Sequence, residues 1–219
     1  MTDIPTLTGP IVLPASGGAP KAMVILLHGY GSNGADLIGL APYWRDALPD
    51  VVFLSPNAPQ PCPGAPGGYQ WWSLTDFSPA ARAAGVRAAA PVVDAYIDAQ
   101  LARYSLGEDR LVLIGFSQGT MMSLHVAPRR ERTLAGVIGY SGMLADAQSL
   151  GAEVKSKPPV LLVHGDADPM LPVASLYEAE AVLTPLGFDV TTHVSPRLGH
   201  SIDEAGLQIG QQFLQHVLT

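Results

Sequence analysis

The sequence predicts an α/β domain whose mostly parallel central sheet is covered by helices on both faces. Apolar runs such as AMVILL at Ala22–Leu27 contain no alternating polar residues, which is typical of strands buried on both sides. These runs alternate with helical stretches along the chain, as in parallel sheets. The 219 residues contain no internal repeat and no dividing linker, so we expect one domain over 1–219.

The elements of the first part of the chain follow in order. A short apolar run at 11–13 is bounded by prolines and predicts an edge strand. The strand at Ala22–Leu27 leads through a glycine-rich turn into a predicted helix at 35–48, and Val51–Leu54 predicts the next strand. Residues 55–78 form the longest irregular stretch, and the aromatic residues within it indicate that it folds over something apolar.

The second part begins with an alanine-rich helix predicted at 79–104, in which Gly85 and Pro91 are candidate interruptions. The remaining elements alternate again, with strands predicted at 109–114, 134–140, 160–163 and 189–194, and helices at 120–127, 174–186 and 203–218. The residues suited to catalysis follow directly after strands, at the edge where open parallel sheets place their sites.

The charge and composition of the chain argue against several classes of function. The net charge is −7, and the one basic cluster, at 129–132, is interrupted by Glu131, so we expect neither nucleic acid nor an anionic substrate. No apolar run reaches the ~18–20 residues of a membrane span, which argues against stable membrane insertion. The start of the chain lacks the pattern of a signal peptide, and the single Cys62 has no internal disulfide partner, so we expect a cytoplasmic protein.

The stretch LVLIGFSQGT at 111–120 carries the clearest chemistry. A buried strand, a Gly-x-Ser-x-Gly turn at 115–119 and a helix are the parts of a nucleophile elbow. Glycine on both sides permits a turn sharp enough to lift the Ser117 hydroxyl above the sheet at a helix N-terminus. The alternative is a glycine-bracketed turn with an unreactive serine, since short motifs recur by chance.

A serine nucleophile needs a base, and the base needs an orienting acid, in the chain order serine, acid, histidine. Of the six histidines, this order excludes the three that precede the acid loop, namely His28, His125 and His164. His193 lies inside an alternating strand and His216 in the last turn of the final helix, which leaves His200, in the turn after the last strand. Asp166 and Asp168 both follow the strand at 160–163, and spacing alone excludes neither. Asp168 precedes proline, which restricts its backbone, whereas Asp166 could cap the turn.

The tetrahedral intermediate of acyl transfer needs two N–H donors. One is expected from Gln118, the residue after the nucleophile. The other is expected from the turn at 28–31, where glycines let the backbone approach the oxyanion, and we choose the N–H of Tyr30.

Four segments together resemble the carboxylesterase/acyl-protein thioesterase branch of the α/β-hydrolases, also called the phospholipase/carboxylesterase family. They read LLHGYGSNGADL, GFSQGTMMSL, HGDADPMLP and LGHSID, and the resemblance runs from about residue 11 to the C-terminus. It implies an α/β-hydrolase fold without a large cap domain, with Ser117 as nucleophile, Asp168 as acid and His200 as base. It also implies an oxyanion hole formed by the N–H groups of Tyr30 and Gln118.

The chain departs from the commonest family pattern at two places. Tyr30 stands where leucine is frequent, and Met170-Leu171 where smaller aliphatic residues are frequent. Both changes could reshape the acyl pocket, so they bear on acyl-chain length and leave the mechanism unchanged.

We therefore predict a serine carboxylesterase that acts on a small-molecule ester with a short- to medium-chain acyl group and uses no metal or organic cofactor. An acyl-protein thioesterase or lysophospholipase for longer chains is the alternative. A dienelactone-hydrolase-like or peptidase-like enzyme is disfavoured by the serine nucleophile and by the absence of a capping domain. A non-catalytic binding protein would be expected to lack part of the triad.

The pocket residues are the least constrained part of the prediction. The candidates are Trp71, Trp72, Leu74, Met143 and Leu171. The two tryptophans could instead hold their loop down, and if exposed they could form a homodimer contact.

Overall fold

The computed structural model describes residues 5–218 and contains a seven-stranded sheet. Its strands are β1 (Ile11–Val12), β2 (Ala22–Leu27), β3 (Val51–Leu54), β6 (Leu111–Phe116), β7 (Gly136–Tyr140), β8 (Val160–Gly165) and β9 (Val190–Ser195). They lie side by side in the order β1-β3-β2-β6-β7-β8-β9. Only the β1–β3 pair of this sheet is antiparallel, and every other neighbouring pair is parallel. The predicted fold class is confirmed.

Within residues 5–218, seven α-helices accompany the sheet. They are α1 (Gly34–Leu37), α2 (Ala41–Arg45), α3 (Pro79–Tyr104), α4 (Gln118–Val126), α5 (Ala147–Glu153), α6 (Ala174–Leu183) and α7 (Glu204–Leu218). Two further strands, β4 (Gln60–Pro61) and β5 (Tyr69–Gln70), form a small antiparallel ribbon within the long irregular stretch.

The core has two layers because successive strand residues point to opposite faces of the sheet. Along β2, Met23, Ile25 and Leu27 join the apolar cluster beneath α3, α4 and α6. The intervening Val24 and Leu26 join the cluster beneath α2 and α7. Helices on both faces therefore bury the continuous apolar runs that the sequence shows.

Three helix predictions need correction. The helix expected at 35–48 is divided into α1, a 3₁₀ turn at Ile38–Leu40, and α2, which has Pro42 in its first turn. Neither Gly85 nor Pro91 interrupts α3, although Pro91 lacks the N–H of a helical hydrogen bond. Packing of its apolar side chains on the sheet holds α3 together across that position.

Helix α5 and the ribbon β4–β5 were not predicted, since neither has a distinct apolar period. The predicted strands and helices elsewhere are recovered with shifts of a few residues at their ends. No helix in the range 5–218 has the length and apolarity needed to cross a bilayer.

Candidate active site

Ser117 occupies a strained turn between β6 and α4. Its φ of 54° and ψ of −112° lie outside the common regions for residues with a side chain. The turn is held by neighbours, because the N–H of Ser117 donates to the Tyr140 carbonyl at 2.9 Å. The Thr120 hydroxyl lies 2.9 Å from the Gly115 carbonyl and 2.8 Å from that of Tyr140. Helix α4 begins directly after Ser117 and points its N-terminus at this position.

The glycines on either side of Ser117 are required by close backbone approach. A Cβ on Gly115 would collide with the backbone of Gly119 and Thr120. A Cβ on Gly119 would collide with the carbonyl group of Leu27 on the neighbouring strand. The Gly-x-Ser-x-Gly pattern is therefore a steric requirement of how α4 packs on β2 and β6.

His200 and Asp168 form a close pair beyond the ends of β9 and β8. His200 Nδ1 lies 2.7 Å from Asp168 Oδ2, and because a carboxylate can only accept, Nδ1 donates. Asp166 does not contact His200, and its carboxylate accepts from the N–H of Arg197 in the opposite turn. The structure thus separates the two aspartates that spacing left equivalent.

The Asp168 carboxylate is fully buried and remains well supplied with donors. Its other oxygen, Oδ1, accepts from the N–H groups of Met170 at 2.8 Å and Leu171 at 2.9 Å. Burial alone would raise the pKa of Asp168, but the hydrogen bonds from Leu171, His200 and Met170 outweigh it and lower the pKa below its usual value. Asp168 is therefore ionised at neutral pH and orients the imidazole.

The turn that carries His200 is fixed at both ends. The N–H of Ala167 donates to the Leu198 carbonyl at 3.0 Å, and the Ser141 hydroxyl donates to the Ser201 carbonyl at 3.2 Å. The Phe116 ring packs against the imidazole with a centroid distance of 5.0 Å. These contacts hold the histidine beside the elbow.

A cavity of about 440 Å³ opens over Ser117 and His200. Most of its wall is apolar, and its lining residues are Gly29, Tyr30, Ser32, Asp36, Leu37, Leu74, Phe77, Phe116, Ser117, Met121, Met170, Leu171 and His200. Of the predicted pocket residues, Leu74 and Leu171 line this cavity. Met143 packs on the core beneath α3 and α4 and does not line it.

Trp71 and Trp72 also require correction, since both are buried below the cavity with 1% and 6% exposure. The Trp71 indole donates to the His28 carbonyl at 2.9 Å and stacks on the His28 ring. Trp72 packs directly against Gly85 of α3, where a Cβ would collide with the indole. The tryptophans fix the loop to the core, so they offer neither a pocket wall nor an exposed dimer contact.

Gln118 has a second role that sequence reasoning missed. Its side chain is fully buried, its Oε1 accepts from the Trp71 N–H at 3.0 Å, and its Nε2 donates to the Trp72 carbonyl at 2.8 Å. The residue after Ser117 therefore anchors the loop that carries the two tryptophans. Tyr30, on the opposite side, lies at the cavity with its side chain 37% exposed.

Comparison with known proteins places this geometry in a family. The model of the phospholipase/carboxylesterase family matches residues 11–218. The chain belongs to this phospholipase/carboxylesterase family. It is 28% identical to the esterase YpfH of Escherichia coli over 198 residues, covering 90% of this chain and 84% of that protein. It is 29% identical to acyl-protein thioesterase 1 of Schizosaccharomyces pombe over 209 residues, covering 91% and 92%.

Solved structures agree with this assignment. The crystal structure of esterase PE8 superposes with a TM-score of 0.93 at 44% identity, covering 97% of this chain and all of that one. Acyl-protein thioesterase 2 of Zea mays, at 24% identity and a TM-score of 0.76, shows the same fold over 97% of this chain and all of that one. The predicted family and ester-hydrolase class are confirmed, and this member of the family is a carboxylic ester hydrolase.

Several cavity residues of this esterase escaped the sequence analysis. Ser32 and Asp36 come from the glycine-rich turn and α1, and the Ser32 hydroxyl donates to Asp36 Oδ2 at 2.7 Å. Phe77 and Met170 form part of the cavity's exposed rim. The sequence did indicate an effect of Met170 on the pocket, because Met170 stands where smaller aliphatic residues are frequent in the family. In the described part of the chain, no group of three or more His, Cys, Asp or Glu side chains is arranged to hold a metal ion.

Proposed function

We propose that this esterase hydrolyses neutral carboxylic esters of short to medium acyl chain through Ser117, His200 and Asp168. One observation carries the proposal. The serine of a strained elbow and a histidine held by a buried carboxylate line one apolar cavity. That is the arrangement needed for a nucleophile, its base and an acyl group to meet.

The first half-reaction follows from the tautomer of His200. Because Nδ1 donates to Asp168, Nε2 is the basic nitrogen and takes the Ser117 proton as the hydroxyl oxygen attacks the ester carbonyl. The carbonyl π bond breaks and its oxygen becomes an oxyanion. Asp168 stabilises the imidazolium that forms, and the imidazolium protonates the departing alcohol as the acyl-enzyme is left behind.

The oxyanion would be stabilised by the N–H groups of Gln118 and Tyr30. Gln118 is the first residue of α4, so its N–H has no partner in the preceding turn and the helix dipole adds positive potential. The same donors would serve deacylation, in which His200 removes a proton from water as the water oxygen attacks the acyl carbon. The bond from that carbon to Ser117 Oγ then breaks, His200 returns the proton to Oγ, and the carboxylic acid leaves.

The cavity supports the substrate class. Its volume of about 440 Å³ lies toward the lower end of the ~300–1,000 Å³ range of small-molecule sites, which favours short to medium acyl chains. Asp36 supplies a carboxylate, and no lysine or arginine is present among the described residues of the lining. A neutral ester is therefore preferred over one that carries a carboxylate or phosphate.

A thioesterase activity on longer chains is the second candidate. Met170 is 70% exposed and Phe77 is 42% exposed at the cavity's edge, so apolar surface continues outward beyond the enclosed volume. A longer acyl chain could lie along this rim.

The test is hydrolysis of p-nitrophenyl esters from acetate to palmitate, with octanoyl and palmitoyl thioesters alongside. We expect kcat/KM to be highest between acetate and octanoate, and a maximum at palmitate would favour the second candidate. Ser117→Ala should lower kcat by about 10⁴-fold or more. The control Ser123→Ala, which changes a buried serine further along α4, should stay within about threefold of wild type. Turnover of Ser117→Ala within tenfold of wild type would refute the proposed mechanism.

A further inference from the structure

We propose that His164 is a positioning residue for this reaction, and that its Nε2–H holds Leu171, which binds Asp168 and forms part of the cavity wall. The inference rests on the proposed function, because it concerns the acid of the same Ser117–His200–Asp168 triad. His164 lies near the end of β8, four residues before Asp168, and both side chains are almost completely buried.

The first step of the argument is the tautomer of His164. Its Nε2 lies 3.0 Å from the Leu171 carbonyl oxygen and 3.3 Å from Asp168 Oδ2. Both neighbours are oxygen atoms that can only accept, so Nε2 carries the hydrogen, and it donates that hydrogen to the Leu171 carbonyl. The other assignment would place three lone pairs against one another in a site without solvent access, which is strongly unfavourable.

The second step concerns the hydrogen bonds that the Asp168 carboxylate accepts. Oδ1 receives two backbone N–H groups, from Met170 and Leu171. Oδ2 receives His200 Nδ1–H at 2.7 Å, and His164 Nε2 lies 3.3 Å from it. A carboxylate with donors on both oxygens has one orientation, and for Asp168 that orientation depends on the position of the Leu171 N–H.

The third step concerns Leu171, which both fixes the acid and lines the cavity. Its N–H donates to Asp168 and its carbonyl accepts from His164, so both polar groups of this residue are bound within the site. Its side chain lies in the cavity wall. His164 therefore ties the base-orienting carboxylate and the substrate contact to the rigid end of β8.

The charged and titratable groups that face this carboxylate are few. His164 approaches it from β8 and His200 from the turn after β9, and each lies within 4 Å of Oδ2. Removal of the His164 donor would leave the Leu171 carbonyl without its partner, so the Leu171 N–H would no longer be held where it orients the Asp168 carboxylate.

The experiment compares His164→Leu, which removes the donor at similar volume, with His164→Gln, whose amide can place an N–H near the position of Nε2. We expect His164→Leu to lower kcat by about tenfold and to change KM less than about twofold. His164→Gln should restore kcat to within about threefold of wild type. A control is His193→Leu, which changes a half-buried histidine on β9 beside Val163 and should alter neither parameter.

Two results would overturn the inference. One is a folded His164→Leu protein with wild-type kcat. The other is a His164→Gln protein as impaired as His164→Leu, since the ring's packing rather than its donor would then matter. Ser117→Ala separates these outcomes from failure of the proposed function, because its loss of turnover does not depend on His164.

Wild-type protein provides a further measurement if His164→Leu does not fold. Nitrogen-15 NMR of histidine-labelled enzyme distinguishes the two imidazole tautomers by their ring nitrogen shifts. A hydrogen on Nε2 of His164 supports the inference. A neutral ring with its hydrogen only on Nδ1 would overturn it.

Discussion

Replacement of Gln118 by leucine tests whether the side chain next to Ser117 holds the loop that carries Trp71 and Trp72 in place. The substitution keeps the backbone N–H proposed for the oxyanion hole and removes only the side-chain amide. That amide satisfies the N–H of Trp71 and the carbonyl of Trp72, at 3.0 and 2.8 Å. Both peptide groups are inside the protein, where water cannot replace the lost partner.

The expected loss of stability follows from the two buried backbone groups that would lose their hydrogen-bond partner. Each costs about 1–3 kcal/mol when its partner is removed, so Gln118→Leu should lower the free energy of unfolding by about 4 kcal/mol. This is a large share of the ~5–15 kcal/mol of a typical domain. With a urea slope of about 3 kcal/mol/M for a domain of this size, the midpoint should fall by roughly 1.3 M.

The assay is urea unfolding followed by tryptophan fluorescence, combined with KM for a p-nitrophenyl ester. Because Leu74 and Phe77 follow the tryptophans and line the cavity, a looser loop should also raise KM. Gln208→Leu, an exposed glutamine on α7, is the control and should change stability by no more than about 0.5 kcal/mol. A loss below about 1 kcal/mol for Gln118→Leu would refute the reasoning that this side chain anchors the loop.

Two further predictions concern the same α4 region. Gly119→Ala should abolish turnover or folding, because the added Cβ would collide with the Leu27 carbonyl group. Circular dichroism measures the folding of the variant and an ester assay its turnover. A variant that is both stable and active would contradict this prediction. Burial, followed by the charge of Arg129, lowers the pKa of His125 to about 4 from 6.5. The unfolded chain then binds the extra proton first, so stability should be lost as pH falls from about 6.5 to about 4, by up to about 3 kcal/mol at roughly 1.4 kcal/mol per pKa unit. Urea midpoints across this range should vary less in His125→Gln, and equal pH dependence in both proteins would exclude His125 as the source.

The Gly-x-Ser-x-Gly turn and His200 could be predicted because the sequence features that indicate them lie within a few residues of each site. The glycines at 115 and 119 report a steric requirement that any sequence with this turn must meet, and chain order selects among the histidines. The choice between Asp166 and Asp168 was less local, since it depends on how the turn at 196–199 approaches β8. The proline after Asp168 and the family resemblance together favour Asp168 over Asp166.

The tryptophans show why the pocket could not be predicted in the same way. Trp71 and Trp72 lie in a loop of the kind that often covers a site, and the sequence gives no sign of what they face. Their burial depends on Gly85, which leaves room on α3, and on the amide of Gln118. These contacts join residues that are distant in the chain, and only the folded packing brings them together.

The same packing links the His200–Asp168 pair to the cavity at Leu171. The backbone of Leu171 orients the Asp168 carboxylate while its side chain forms part of the cavity wall, so a change in the loop at 166–171 alters both the pair and the cavity. Met170, the neighbouring residue, donates its N–H to the same carboxylate and exposes its side chain at the rim. Because the backbone contacts survive a change of side chain, this loop can vary at Met170 and reshape the rim while the Asp168 carboxylate keeps its position. We therefore expect the methionine at this position to affect acyl-chain preference and to leave the proposed reaction unchanged.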